Sequence, residues 1–131
     1  MKKCILSVVL SLAIKIVAAQ YSLVFCENVS ADGVPEKVSR SFIQYGAESK
    51  VTLFVTADGM FDTDQLKFTI YYINAEGNEE EITKLPQKTE PGSNYAWKEV
   101  TLFNKGAYRV KVYNGGTYLT SANLSIKSAA K

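Results

Sequence analysis

Two acidic clusters are the only places in this chain where neighbouring side chains could do chemistry together. Asp58, Asp62 and Asp64 fall within seven residues, and Glu79-Glu80-Glu81 stand side by side. Paired carboxylates can act as acid and base in glycoside cleavage, and acids on a curled loop can ligate calcium. The first cluster lacks the alternating acids and distal glutamate of an EF-hand loop. Short acidic runs also fill turns through local hydrogen bonds, or keep sheet edges apart by repulsion. There is no histidine, the commonest general base and metal ligand. Of the two cysteines, Cys4 lies near the amino terminus and Cys26 in the apolar stretch Tyr-Ser-Leu-Val-Phe-Cys, with no basic neighbour to favour a thiolate. Cys26 therefore reads as a small buried hydrophobe, with an intermolecular disulfide as the alternative. The expectation is a protein that is not an enzyme, with no metal and no cofactor.

Binding chemistry is easier to build. In Gln65 to Ile73, strict alternation puts Leu66, Phe68, Ile70 and Tyr72 on one face and Lys67, Thr69 and Tyr71 on the other. In Gly106 to Tyr113, Tyr108, Val110 and Val112 share one face and Arg109, Lys111 and Tyr113 the other. Tyrosine and arginine each combine apolar area with a polar end, which suits them to interfaces. The candidate binding surface is Lys67, Thr69, Tyr71, Arg109, Lys111, Tyr113 and the nearby Tyr118. A second candidate is an apolar patch of Val24, Cys26, Phe54 and Trp97.

The first nineteen residues are of another kind. Met1-Lys2-Lys3 is a positive start, Cys4 to Ala19 is mostly apolar, and Val17-Ala18-Ala19 fits a signal-peptidase site, so residues 1–19 are expected to be a cleaved signal peptide. The sequence thus predicts a secreted or periplasmic protein, associated with the cell surface. Lys15 interrupts the apolar run and argues against a retained transmembrane helix. Neither cysteine is preceded by the small-residue box of a lipoprotein. Removing the leader removes Lys2, Lys3 and Lys15, leaving twelve basic residues against thirteen acids. A near-neutral chain gives no electrostatic reason to bind nucleic acid or an anionic membrane. Residues 20–131, about 112 in number, suffice for a single domain with its own core.

That domain is expected to consist of strands throughout. Extended segments fall at 21–27, 49–57, 65–73, 95–103, 106–113 and 117–127, with a short piece at Phe42-Ile43 and a charged edge strand at Glu79 to Ile82. Asn28 to Arg40 and Lys84 to Ser93 carry the Gly, Pro and Asp of loops, and Asn114-Gly115-Gly116 is a tight hairpin turn. The segment at 95–103 has a conflict: alternation through Ala96, Val100 and Leu102 exposes Trp97 and buries Lys98. A bulge near Lys98 would reset the register and bring Trp97 into the core.

About seven strands without a helical period make an antiparallel two-layer β-sandwich. The Gly106-x-Tyr108-x-Val110-x-Val112 pattern near its end resembles strand F of immunoglobulin-like and fibronectin type III-like sandwiches. In those folds a tyrosine at the start of F bonds back across the corner. The resemblance implies strands A at 21–27, B at 49–57, C at 65–73, E at 95–103, F at 106–113 and G at 117–127, with Tyr108 in a structural role. The chain departs from the family in having no cysteine pair between B and F and no tryptophan in C, where Phe68 takes the core position. Its members perform many functions. Three functions are compatible with the sequence: recognition or adhesion toward a protein or glycan; an assembly subunit pairing through an edge strand, the first strand above all; and a protease inhibitor presenting Asp58–Asp64 or Lys84–Ser93. Asn28-Val29-Ser30 and Asn123-Leu124-Ser125 are glycosylation acceptors in a eukaryotic host.

Overall fold

The computed structural model describes residues 20–129 apart from positions 62 and 91. The expected signal peptide and one acid of the Asp58–Asp64 cluster, Asp62, lie outside the described residues. Ten strands run in chain order: β1 (Tyr21–Cys26), β2 (Asn28–Val29), β3 (Pro35–Glu36), β4 (Ser41–Gln44), β5 (Ser49–Ala57), β6 (Gln65–Ile73), β7 (Glu79–Lys88), β8 (Tyr95–Leu102), β9 (Gly106–Asn114) and β10 (Thr117–Ser128). They form a three-stranded sheet, β1-β5-β8, and a five-stranded sheet, β4-β10-β9-β6-β7, with β2 and β3 paired separately. In family letters these are ABE against a GFC sheet extended on both sides, the strand order of an immunoglobulin-like sandwich.

Alternation decides which side chains meet between the sheets. Leu66, Phe68 and Ile70 of β6 and Tyr108, Val110 and Val112 of β9 are buried, and they pack in one core with Phe25, Leu53, Val55, Leu124 and Ile126. The Tyr108 hydroxyl, at the start of β9, donates to the Asn104 carbonyl four residues back at 2.5 Å. A buried bond of this kind contributes about 1 kcal/mol. Tyr72 meets Tyr108 edge-on at 5.2 Å and donates from its own hydroxyl to the Lys105 carbonyl. A Cβ on Gly106 would lie 2.6 Å from the Tyr72 hydroxyl, and the residue's φ is 134°, so this corner requires glycine.

Four expectations are corrected. The sandwich is not wholly antiparallel: β4 lies parallel to β10, because the chain crosses from the first sheet to the edge of the second before returning to β5. Residues 84–88 are strand, since β7 continues opposite β6 as far as Lys88. Pro86 fits there because β7 is an edge strand, where a missing N–H interrupts no further ladder. Glu79 to Glu81 do lie on a sheet edge, as read. No bulge resets β8: its register with β5 is continuous from Thr56 opposite Tyr95 to Ser49 opposite Leu102. Trp97 is therefore outside the core, 45% exposed. Lys98 tolerates the inward side because β8 is an edge strand from which its long stem can reach water.

The fourth correction concerns Asn28 to Arg40, read as a loop: it stays at the surface with none of its residues buried, but it contains a short hairpin. Its β2–β3 hairpin folds back over the outer face of the three-stranded sheet. Glu27 donates its N–H to the Glu36 carbonyl at 3.0 Å, and Ser39 donates to Phe25 at 3.0 Å. At the tip, Gly33 (φ 81°) touches the Tyr95 ring so closely that a Cβ would lie 2.6 Å from it. Lys37 closes the hairpin at a φ of 58°, and its ammonium lies 3.7 Å from the Glu27 carboxylate.

Candidate functional site

The pleat of the five-stranded sheet brings the predicted binding residues onto its outer face. Lys67, Thr69 and Tyr71 from β6 stand directly opposite Tyr113, Lys111 and Arg109 from β9. On the other flank of β9, Tyr118, Ser121 and Asn123 of β10 stand opposite Tyr113, Lys111 and Arg109. A register shift between Tyr118 and Thr120 lets this outer row form, because it places one extra residue, Leu119, between them.

Long side chains on this face lie across one another. The Lys111 ammonium sits 4.7 Å from the centre of the Tyr71 ring, and that of Lys67 5.6 Å from the Tyr113 ring. Tyr113 meets Tyr118 edge-to-face at 6.0 Å, and the Tyr118 hydroxyl donates to Ser121 Oγ at 2.9 Å. Thr69 is only 2% exposed. Its assignment to the binding surface is corrected: it points outward, but as the short residue between longer neighbours in the Lys67–Tyr113 and Tyr71–Lys111 pairs it is covered. Lys67, Tyr71, Arg109, Lys111 and Tyr113 are half-buried, and Tyr118 is exposed.

An ion network organises the cations. Arg109 donates from Nη1 to Glu79 Oε2 at 2.6 Å and from Nε to Asn123 Oδ1 at 2.9 Å, while Lys111 Nζ lies 3.1 Å from Glu79 Oε1. The hydrogen bonds from Arg109 and then Lys111 hold the Glu79 carboxyl below the ordinary glutamate range. The same carboxylate raises the Lys111 ammonium, and burial foremost, with Tyr113 second, raises the Tyr71 phenol. Beside the network is a shallow, open depression lined by Arg40, Arg109, Lys111, Tyr113, Tyr118 and Asn123.

Arg40 and Ser121 were not singled out in the sequence; Glu79 was read only within the acidic run of an edge strand, and Asn123 only as a glycosylation acceptor. Arg40 reaches the face because its carbonyl accepts the Ser125 N–H at 2.8 Å, seating the start of β4 beside β10. Parallel pairing between distant strands leaves no local pattern to read. The β10 pair could have been found, since the apolar spacing Leu119, Ala122, Leu124 already breaks strict alternation.

The second candidate surface is largely closed. Cys26 is fully buried, and Phe54, although on the outer side of its sheet, is 4% exposed. Phe54 lies between Val24 and Trp97 in register and stacks on Tyr95 at 5.7 Å. Burial raises the Cys26 thiol above its ordinary value, and its Sγ points to the Thr52 carbonyl at 3.9 Å. Of that patch Trp97 stays exposed and Val24 is half-buried.

No family model matches the chain, and no curated protein does. Among solved structures, an immunoglobulin-like protein from Pseudomonas aeruginosa is similar at 14% identity and a TM-score of 0.49, over 84% of this chain and 92% of that one. An alkylpurine DNA glycosylase, AlkC of Pseudomonas fluorescens, solved bound to DNA containing an abasic site analog, is similar at 12% identity and a TM-score of 0.48. That likeness covers 83% of this chain and 30% of the glycosylase, so the chain spans about a third of that protein's length.

Proposed function

We propose that this β-sandwich is an exported, non-catalytic recognition module, and that it binds a protein or glycan through the outer face of the β4-β10-β9-β6-β7 sheet. One observation carries the reading: Arg109, Lys111, Tyr113 and Tyr118 converge on an open depression and are held there by Glu79, Asn123 and one another. Side chains fixed before a ligand arrives lose less entropy on binding, and tyrosine and arginine are the types that most often dominate such contacts. A shallow face of this kind suits recognition better than catalysis, which needs several roles filled in a site that excludes water.

Pairing through an edge strand is the second reading, favoured by β1 and β8, which stand at the two edges of their sheet. Inhibition of a protease through Lys84–Ser93 is disfavoured, because β7 occupies half of that stretch.

Glycan and protein arrays probed with the native chain and with Tyr118→Ala test the proposal. Binding that the variant loses, with folding intact, supports the face. Binding indifferent to Tyr118→Ala, or light scattering that shows a dimer sealed through β1 or β8, overturns it.

A further inference from the structure

The first part of β10 has one edge with no strand bonded to it. β4 pairs with β10 only from Ser125 to Ser128, while β9 pairs with it back to Thr117. The strand that flanks the open part, β1, belongs to the other sheet and bonds to β5. Successive residues of a strand send their N–H and C=O groups to opposite edges. The Ser125 N–H meets the Arg40 carbonyl on the β4 side, so Ser121 and Asn123 turn their backbone groups to the open side, and Ala122 and Leu124 turn theirs to β9. Ser121, Ala122 and Asn123 line the depression, which gives this edge access to solvent.

Open edges are normally blunted by charges, proline or a bulge. On the opposite side of the sandwich they are: β7 carries Glu79 to Glu81 and Pro86, and β8 carries Lys98 and Glu99. Between Thr120 and Leu124, β10 has neither charge nor proline, and its bulge lies before that stretch. The far end of the edge is closed, because the chain arrives there through Ser39, bonded to Phe25, and Arg40, bonded to Ser125, to begin β4. A segment added beside Ser121 and Asn123 therefore meets Arg40 and must end or turn away.

Arg40 is exposed, and its side chain makes no ion pair or hydrogen bond among the described residues. Arg109 and Lys111 bring two more cations to the depression, answered by the single carboxylate of Glu79, and no carboxylate is in its described lining. Such a position attracts a chain end that is a carboxylate and repels one that is an ammonium. The direction follows, since only a strand parallel to β10, as β4 is, brings its carboxyl terminus to Arg40. We propose that the carboxyl-terminal segment of a partner protein adds to β10 as a parallel strand in line with β4, bonding to Ser121 and Asn123 and placing its terminal carboxylate on Arg40. The proposal deepens the recognition reading above and rests on it.

An array of random octapeptides, each made with a free carboxyl end and again as the amide, tests it, the best free-acid peptide then being titrated into labelled protein. Free-acid peptides are expected to bind at least about tenfold more tightly than their amides. Arg40→Gln, at a residue whose side chain the fold does not use, should abolish that preference. On binding, hydrogen exchange at the Ser121 and Asn123 amides should slow about tenfold or more, with Ala122 and Leu124, already bonded to β9, little changed. Equal binding of acid and amide, a preference that survives Arg40→Gln, no peptide binding, or protection appearing in β1 or β8 instead each overturns the proposal. A glycan bound by the native chain and lost with Tyr118→Ala would overturn only the peptide and leave the recognition face in place. Array binding indifferent to Tyr118→Ala would overturn both.

Discussion

The outer faces of the two sheets end differently although both start from strands with outward-pointing aromatics. On the three-stranded sheet, Val24, Cys26, Phe54 and Trp97 present apolar area, and the protein brings its own β2–β3 hairpin over part of it. On the five-stranded sheet, aromatics alternate with Lys67, Arg109 and Lys111, and this face stays in water with its side chains paired to one another. An apolar face gains from being covered by any chain available, its own included. A face of cations and tyrosines gains little from such cover and stays available to an outside ligand.

Phe54→Ala would break the contrast most forcibly. If the hairpin makes this outer residue part of a core, the substitution should cost about 3 kcal/mol in chemical denaturation. Tyr71→Ala on the open face should cost no more than about 1 kcal/mol. Similar losses at the two sites would mean that the faces do not differ. Next in size is Gly33→Ala, which places a Cβ against the Tyr95 ring at a φ that alanine rarely adopts. A loss of about 1–2 kcal/mol is expected, together with faster reaction of Cys26 with a thiol reagent as the cover loosens. Unchanged thiol kinetics would show that the hairpin tip does not guard the buried face.

The smallest expected effect lies on the open face. Because Glu79 titrates lower folded than unfolded, its contribution to stability is complete above the ordinary glutamate value of 4.5 and is lost as pH falls through the lowered one. Native protein should therefore lose stability relative to Glu79→Gln as the pH is taken below 4.5. Parallel curves would remove the carboxylate from the network.

Both faces were partly legible in the sequence. The alternation in β6 and β9 is unbroken, so the outward row of Lys67, Tyr71, Arg109, Lys111 and Tyr113 could be read directly. Thr69 could not, because its burial depends on how far its neighbours' side chains extend. Phe54 read as outward, which it is, but its cover comes from the Tyr95 ring of the neighbouring strand, against which the hairpin tip at Gly33 packs. Trp97 was misjudged because a lysine facing inward looks costly until β8 is known to be an edge. Arg40 and Glu79 enter the site through pairings between strands distant in sequence. Local pattern fixes which side of a strand a residue takes; exposure depends on what the rest of the chain lays over it.

The most direct measurement is an amide chemical-shift map of the labelled protein titrated with the strongest binder from the glycan and protein arrays. The account predicts shifts clustered at Arg40, Arg109, Lys111, Tyr113, Tyr118 and Asn123. Shifts confined to β8 around Trp97, or to the β2–β3 hairpin, would contradict it.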